Sequence, residues 1–109
     1  MVSIALPAVL SDYLEGINHN QLNQVVACFR EDATVHDENT DINGIDAIRA
    51  WIQDTQEKYQ PTLTLKSIAD IDGQFTLKCE VSGTFPGSPI VLDYRFTLHD
   101  DRIVGLYID

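Results

Sequence analysis

Basic residues are scarce in this chain. Seven Lys and Arg stand against seventeen Asp and Glu, and the formal charge of -10 repels phosphate backbones and anionic membrane surfaces, so nucleic acid and membrane are excluded as natural partners. Cysteine is nearly absent: Cys28 and Cys79 are far apart, both fall in apolar-periodic positions, and they do not make a disulfide framework. They are expected to be buried free thiols in a reducing compartment. No apolar run reaches membrane-spanning length, and Met1 to Leu6 carries neither a basic segment nor a long apolar stretch, so a cytoplasmic protein is expected. The signatures of several chemistries are also missing. There is no HExxH pattern or cysteine cluster for a metal, no glycine-rich phosphate loop, and no GxSxG or Cys and His pair for covalent catalysis. No metal and no organic cofactor is therefore expected.

What is present is enough apolar content, 44% over 109 residues, for one core, and a single domain over residues 1–109 is expected. Leu6, Val9, Leu10, Tyr13, Leu14 and Ile17 recur at helical spacing behind Pro7. After Asn18-His19-Asn20, which offers an N-cap, Leu22, Val25, Val26 and Phe29 make a second, short helix. Ala33 to Asp37 reads as a short strand, followed by a polar loop. Gly44 then admits a third helix from about Ile45 to Tyr59, stopped by Pro61. From Thr62 the period changes to two, with turn signals at Asp72-Gly73, Phe85 to Pro89 and Asp100-Asp101, and predicts a four-stranded meander. Three helices, one short strand and a meander make an α+β plan with the helices on one sheet face.

Alternation places Val35 and Asp37 on one face of the first strand and His36 on the other. A carboxylate on a face that otherwise buries apolar groups is costly unless it has partners or a function, which makes Asp37 the first candidate. The bland alternative is a loop-capping role for it. Tyr13 lies in the apolar stripe of the first helix, which fixes burial but leaves the use of its hydroxyl open.

Val9 to Tyr13, Phe29 to Asp37, Gly44 to Arg49, and Phe96-x-Leu98-x-Asp100-x-Arg102-Ile103 together resemble the NTF2-like superfamily, in its SnoaL-like and ketosteroid-isomerase-like branch. The resemblance implies a cone-shaped, cystatin-like fold: a strongly curved sheet against three helices, enclosing an apolar pocket, paired as a homodimer through the sheet. Ketosteroid isomerase moves a proton with an aspartate base and stabilises the dienolate with a tyrosine and a protonated aspartic acid. By that resemblance Asp37 matches the base and Tyr13 the tyrosine. The position of the protonated acid is held by Tyr94, with Asp93 beside it on the opposite strand face. The pocket lining expected from inward-facing positions is Trp51, Val35, Phe75, Leu77, Phe96 and Tyr107. Asp109, in phase with Tyr107, is placed at a solvated end or at the pocket mouth. The outward set Val91, Thr97, Val104, Leu106 and Ile108 calls for a cover, which a second copy would supply. The ligand implied is a small, largely apolar molecule. Two functions follow as alternatives: cofactor-free proton transfer next to a carbonyl, of isomerase or cyclase type, or ligand binding and protein association without chemistry.

Overall fold

A computed structural model describes residues 6–109, so Met1 to Ala5, where no targeting segment is expected, lie outside the described residues. Three helices come first: α1 (Ala8–Asn18), α2 (Leu22–Ala27) and, after two strands, α3 (Ile45–Tyr59). The strands are β1 (Phe29–Asp37), β2 (Thr40–Asn43), β3 (Thr62–Ile71), β4 (Gln74–Ser82), β5 (Ile90–His99) and β6 (Arg102–Ile108). They form one six-stranded sheet in the order β2-β1-β6-β5-β4-β3, antiparallel except for the β1–β6 pair.

Two elements differ from the sequence expectation. The first strand starts at Phe29, directly after α2, because Phe29 pairs with Ile103 of β6 and is buried there rather than on a helix. The segment expected to be a polar loop is a hairpin. Glu38 and Asn39 both take positive φ, 52° and 61°, the geometry of a two-residue turn whose twist matches its flanking strands. Ile42 of β2 then pairs with Val35 and packs against the core. The same turn geometry joins β3 to β4 at Asp72-Gly73 and β5 to β6 at Asp100-Asp101, both anticipated from the sequence.

Register shifts interrupt β1 between Phe29 and Thr34, β3 between Leu65 and Ser67, and the β5–β6 pair next to Thr97 and Leu98. Such bulges bend a strand and increase its twist, and three of them curl the sheet around the helices. The last shift also reverses parity in β6. Thr97 pairs with Gly105 and Leu98 with Ile103, so Val104 is the extra residue and every later side chain changes face. Leu106 and Ile108, expected outward, are 3% and 7% exposed; Tyr107, expected inward, is 44% exposed.

The narrow end of the curled sheet is packed solid by side chains of both sheet and helices. Leu10, Val25, Ala33, Val35, Ile48, Leu77, Cys79, Phe96 and Ile103 are completely buried. Asn18, at the end of α1, fastens the helices to the start of β3: its amide donates to the Leu63 carbonyl at 3.0 Å and its oxygen accepts from the Leu63 N–H at 2.7 Å. No side chain caps α2, and Asn18 serves β3 instead of that helix.

Candidate functional site

At the wide end of the sheet the layers diverge and leave a cavity of about 590 Å³. The strand walls all come from one end of the sheet: Asp37 closes β1, Ile108 closes β6, Leu63 opens β3, Val81 lies near the end of β4, and Ile90, Leu92 and Tyr94 form the first half of β5. Tyr13 and Ile17 of α1 and Trp51, Ile52, Thr55 and Tyr59 of α3 cover it. Trp51, Thr55 and Tyr59 recur every four residues, so one stripe of α3 runs about 12 Å along the cavity. Tyr94, Leu92 and Ile90 run beside it over about 13 Å of extended chain. The far end is closed by Phe85, whose ring meets Tyr59 edge-on at 5.8 Å.

Asp37 is half-buried, and its carboxylate Oδ2 accepts a hydrogen bond from the Trp51 indole N–H at 3.1 Å. The bond ties the end of β1 to the first half of α3. Tyr13 and Tyr94 line the cavity at 2% and 7% exposure. Among the described residues no side-chain polar atom is both fully buried and unpartnered, and neither phenol hydroxyl has a protein partner, so both hydroxyls open onto the cavity. Their rings are held by Phe96, which Tyr13 meets edge-on at 5.2 Å and Tyr94 stacks against at 6.3 Å. Burial, then the neighbouring Tyr94, then the Asp37 carboxylate hold the Tyr13 pKa well above the ordinary phenol value. Tyr94 is raised by burial first, with smaller contributions from Cys79 and Asp37. Both phenols therefore stay protonated and remain donors at neutral pH.

Of the expected lining, Trp51 is in place, and Asp37, Tyr13 and Tyr94 share its cavity. The other five positions need correction. Val35, Leu77 and Phe96 face inward but lie at the narrow end, where packing is complete. Phe75 sits by the β3–β4 hairpin, at the opposite end of β4 from Val81. Tyr107 is on the outer face, stacked on His36 at 4.5 Å. Alternation gives a face; it does not give the position along the strand. Asp93 also points outward, bonded to Lys78 at 3.2 Å, which leaves Tyr94 as the cavity-facing residue of the two.

Sequence reasoning missed Thr55, Tyr59 and Phe85, although Tyr59 follows Trp51 and Thr55 at helical spacing. It missed Glu38 and placed Asp109 only as an option; both are at the rim. A second concavity of about 570 Å³ lies outside, between the α1–α2 turn and the end of α3. Its Asn18 and Gln56 amides are already bonded to backbone, and it holds no tyrosine or aspartate. Among the described residues no group of three or more His, Cys, Asp and Glu side chains gathers to hold a metal, and no helix is long and apolar enough to cross a membrane.

The SnoaL-like domain family matches residues 10–106. A candidate polyketide cyclase from Sinorhizobium meliloti is similar at 30% identity, with a TM-score of 0.92 over 95% of each chain. A protein of ketosteroid isomerase-like fold from Catenulispora acidiphila, solved in complex with trimethylamine, has 14% identity and a TM-score of 0.83 over 96% of this chain and 86% of its own. A cystatin-fold protein from Novosphingobium aromaticivorans has 12% identity and a TM-score of 0.80 over 98% and 99%. The last two show the fold alone. Comparison with curated proteins gives no match. A family match over most of the length, and a relative similar from end to end, join a curled sheet with its cavity at the wide end: the chain belongs to the SnoaL-like family, on the NTF2-like, ketosteroid isomerase-like and cystatin-like fold.

Proposed function

We propose that this protein catalyses cofactor-free proton transfer next to the carbonyl of a small, largely apolar molecule, as an isomerase or cyclase. The observation that carries the reading is one cavity lined both by a carboxylate held on an indole N–H and by the hydroxyls of two buried tyrosines, which have no partner among the described residues. Asp37 takes the proton. The Trp51 bond fixes one carboxylate oxygen and leaves the other for the substrate C–H, so Trp51 positions the base. Tyr13 and Tyr94 donate to the oxygen on which charge develops, and their raised pKa values keep those protons in place. A pair of phenols takes the part played in ketosteroid isomerase by one phenol and one protonated acid.

Hydrogen–deuterium exchange at the carbon next to a ketone, followed by NMR in D2O, tests the reading without knowledge of the natural substrate. Asp37→Asn should abolish catalysed exchange while the ketone still binds, reported by the fluorescence of the chain's one tryptophan, Trp51, in the cavity wall. Tyr13→Phe should slow exchange on the order of tenfold to a thousandfold. Catalysed exchange that survives Asp37→Asn unchanged would remove Asp37 as the base, and a wild type that binds the ketone without speeding its exchange would leave a binding site without chemistry.

A further inference from the structure

Among the described residues, the cavity is lined by three carboxylates, Asp37, Glu38 and Asp109, and by no Lys, Arg or His. The β1–β6 register pairs Val35 with Leu106 and His36 with Tyr107, so the two strands end side by side, with Asp37 and Glu38 at the end of one and Asp109 at the end of the other. All three acids therefore lie at one end of the cavity. That end also holds Trp51, Tyr13 and Tyr94, while Tyr59, Phe85, Pro86 and Ile90 make the other end apolar. Two bases stand beside the rim without joining the lining: Arg95 bonds Asp109 at 3.3 Å from the outer face, and Lys58, near enough to Glu38 to feel its charge, is paired with Asp54 at 3.1 Å.

This charge arrangement bears on the reaction proposed above. When Asp37 takes a proton from carbon, the C–H bond breaks, the proton joins the carboxylate, and the electron pair leaves as an enolate. Negative charge moves but does not diminish, and it arrives on an oxygen near Glu38 and Asp109 with only two neutral phenols to receive it. Like charges that share one partly desolvated cavity disfavour the enolate. A positive charge carried by the substrate removes the conflict. It would neutralise the rim acids in the bound state and the enolate as it forms, and aromatic faces at the same end attract a cation.

We infer that the site takes a cationic substrate: a carbonyl compound with an apolar body and a protonated or quaternary nitrogen, its nitrogen at the Glu38 and Asp109 rim and its acidic carbon at Asp37. The inference rests on the proton-transfer reading of this cavity. Anionic ligands, phosphorylated or carboxylated, are excluded by the same three acids.

Acetophenones substituted in the para position with trimethylammonium, tert-butyl or carboxylate share one body and differ in head charge. Their affinities, read by quenching of Trp51 fluorescence, should fall in the order cation, neutral, anion, and added salt should compress the differences. Glu38→Gln and Asp109→Asn should each cut the cation's advantage over its tert-butyl isostere about two- to fivefold, the range of a partly exposed ion pair. Equal or tighter binding of the tert-butyl compound, an undiminished preference in both variants, or binding of none of the three would overturn the inference. The proton-transfer reading fails separately: the cation would be preferred, yet its acetyl protons would exchange no faster with wild type than with Asp37→Asn.

Discussion

Asp37 and Val35 sit two residues apart on the same face of the same strand, and only one of them reaches the cavity. The difference is depth: Val35 is within the packed end of the curl and Asp37 is at its opening. The phenols show how burial sets chemistry at this scale. A tyrosine whose folded pKa is raised binds its proton more tightly folded than unfolded, so its contribution to stability is full below the unfolded value near 10 and is lost as pH rises through the folded value. Stability should therefore decline above about pH 10, and a pH series of urea unfolding curves should show Tyr94→Phe reducing that decline. An unchanged decline in Tyr94→Phe would remove Tyr94 as its source. The two thiols follow the same rule. Burial pushes Cys28 and Cys79 up to about 11, so at neutral pH both should react with a thiol reagent far more slowly in the native protein than after unfolding.

Among elements, α3 does most to shape the site. Its cavity stripe begins at Trp51, which holds the Asp37 carboxylate, and ends at Tyr59, whose backbone holds the β4–β5 loop: Tyr59 O accepts from the Thr84 N–H at 2.7 Å, and the Lys58 carbonyl accepts from the Thr84 hydroxyl at 3.0 Å. Gly83 makes this approach possible, since a Cβ there would stand 2.3 Å from the Tyr59 carbonyl oxygen. Gly83→Ala should push the loop away from α3, costing about 1–3 kcal/mol in chemical unfolding and loosening the Phe85 end of the cavity. A variant as stable as wild type would show that the loop yields without loss. Beside the same end of α3, Asn18→Ala removes both bonds to Leu63 and leaves partly buried backbone groups without partners, with an expected cost of about 1–3 kcal/mol.

At the scale of the whole molecule, the outer sheet face is more polar than its sequence suggested. The reversal in β6 takes Leu106 and Ile108 inside. Val91, Thr97 and Tyr107 remain exposed there, beside the ion pairs of Lys78 with Asp93 and Arg95 with Asp109, and beside His36, bonded to Asp41 at 2.6 Å. We retain pairing of two copies through this face as a proposal. With -10 on each chain, such a dimer should tighten as salt rises, and Val91→Glu should weaken it in sedimentation measurements. A wild-type chain that sediments as a monomer at micromolar concentration and moderate salt would rule it out.

Helical and alternating periods, the Asp-Gly and Asp-Asp turns, and the apolar stripe through Tyr13 were legible in the sequence because each is set by contacts between residues a few positions apart. Local pattern also assigned Asp37 and Tyr94 to inward faces. It could not show that Trp51 donates to Asp37, fourteen residues away, or that Phe85 closes the far end against Tyr59. Nor could it place the extra residue Val104, which a bulge inserts only when β5 and β6 pair. Which inward side chains form packed core and which line a void depends on where the curled sheet and the helices part, and that distance exists only in the folded molecule.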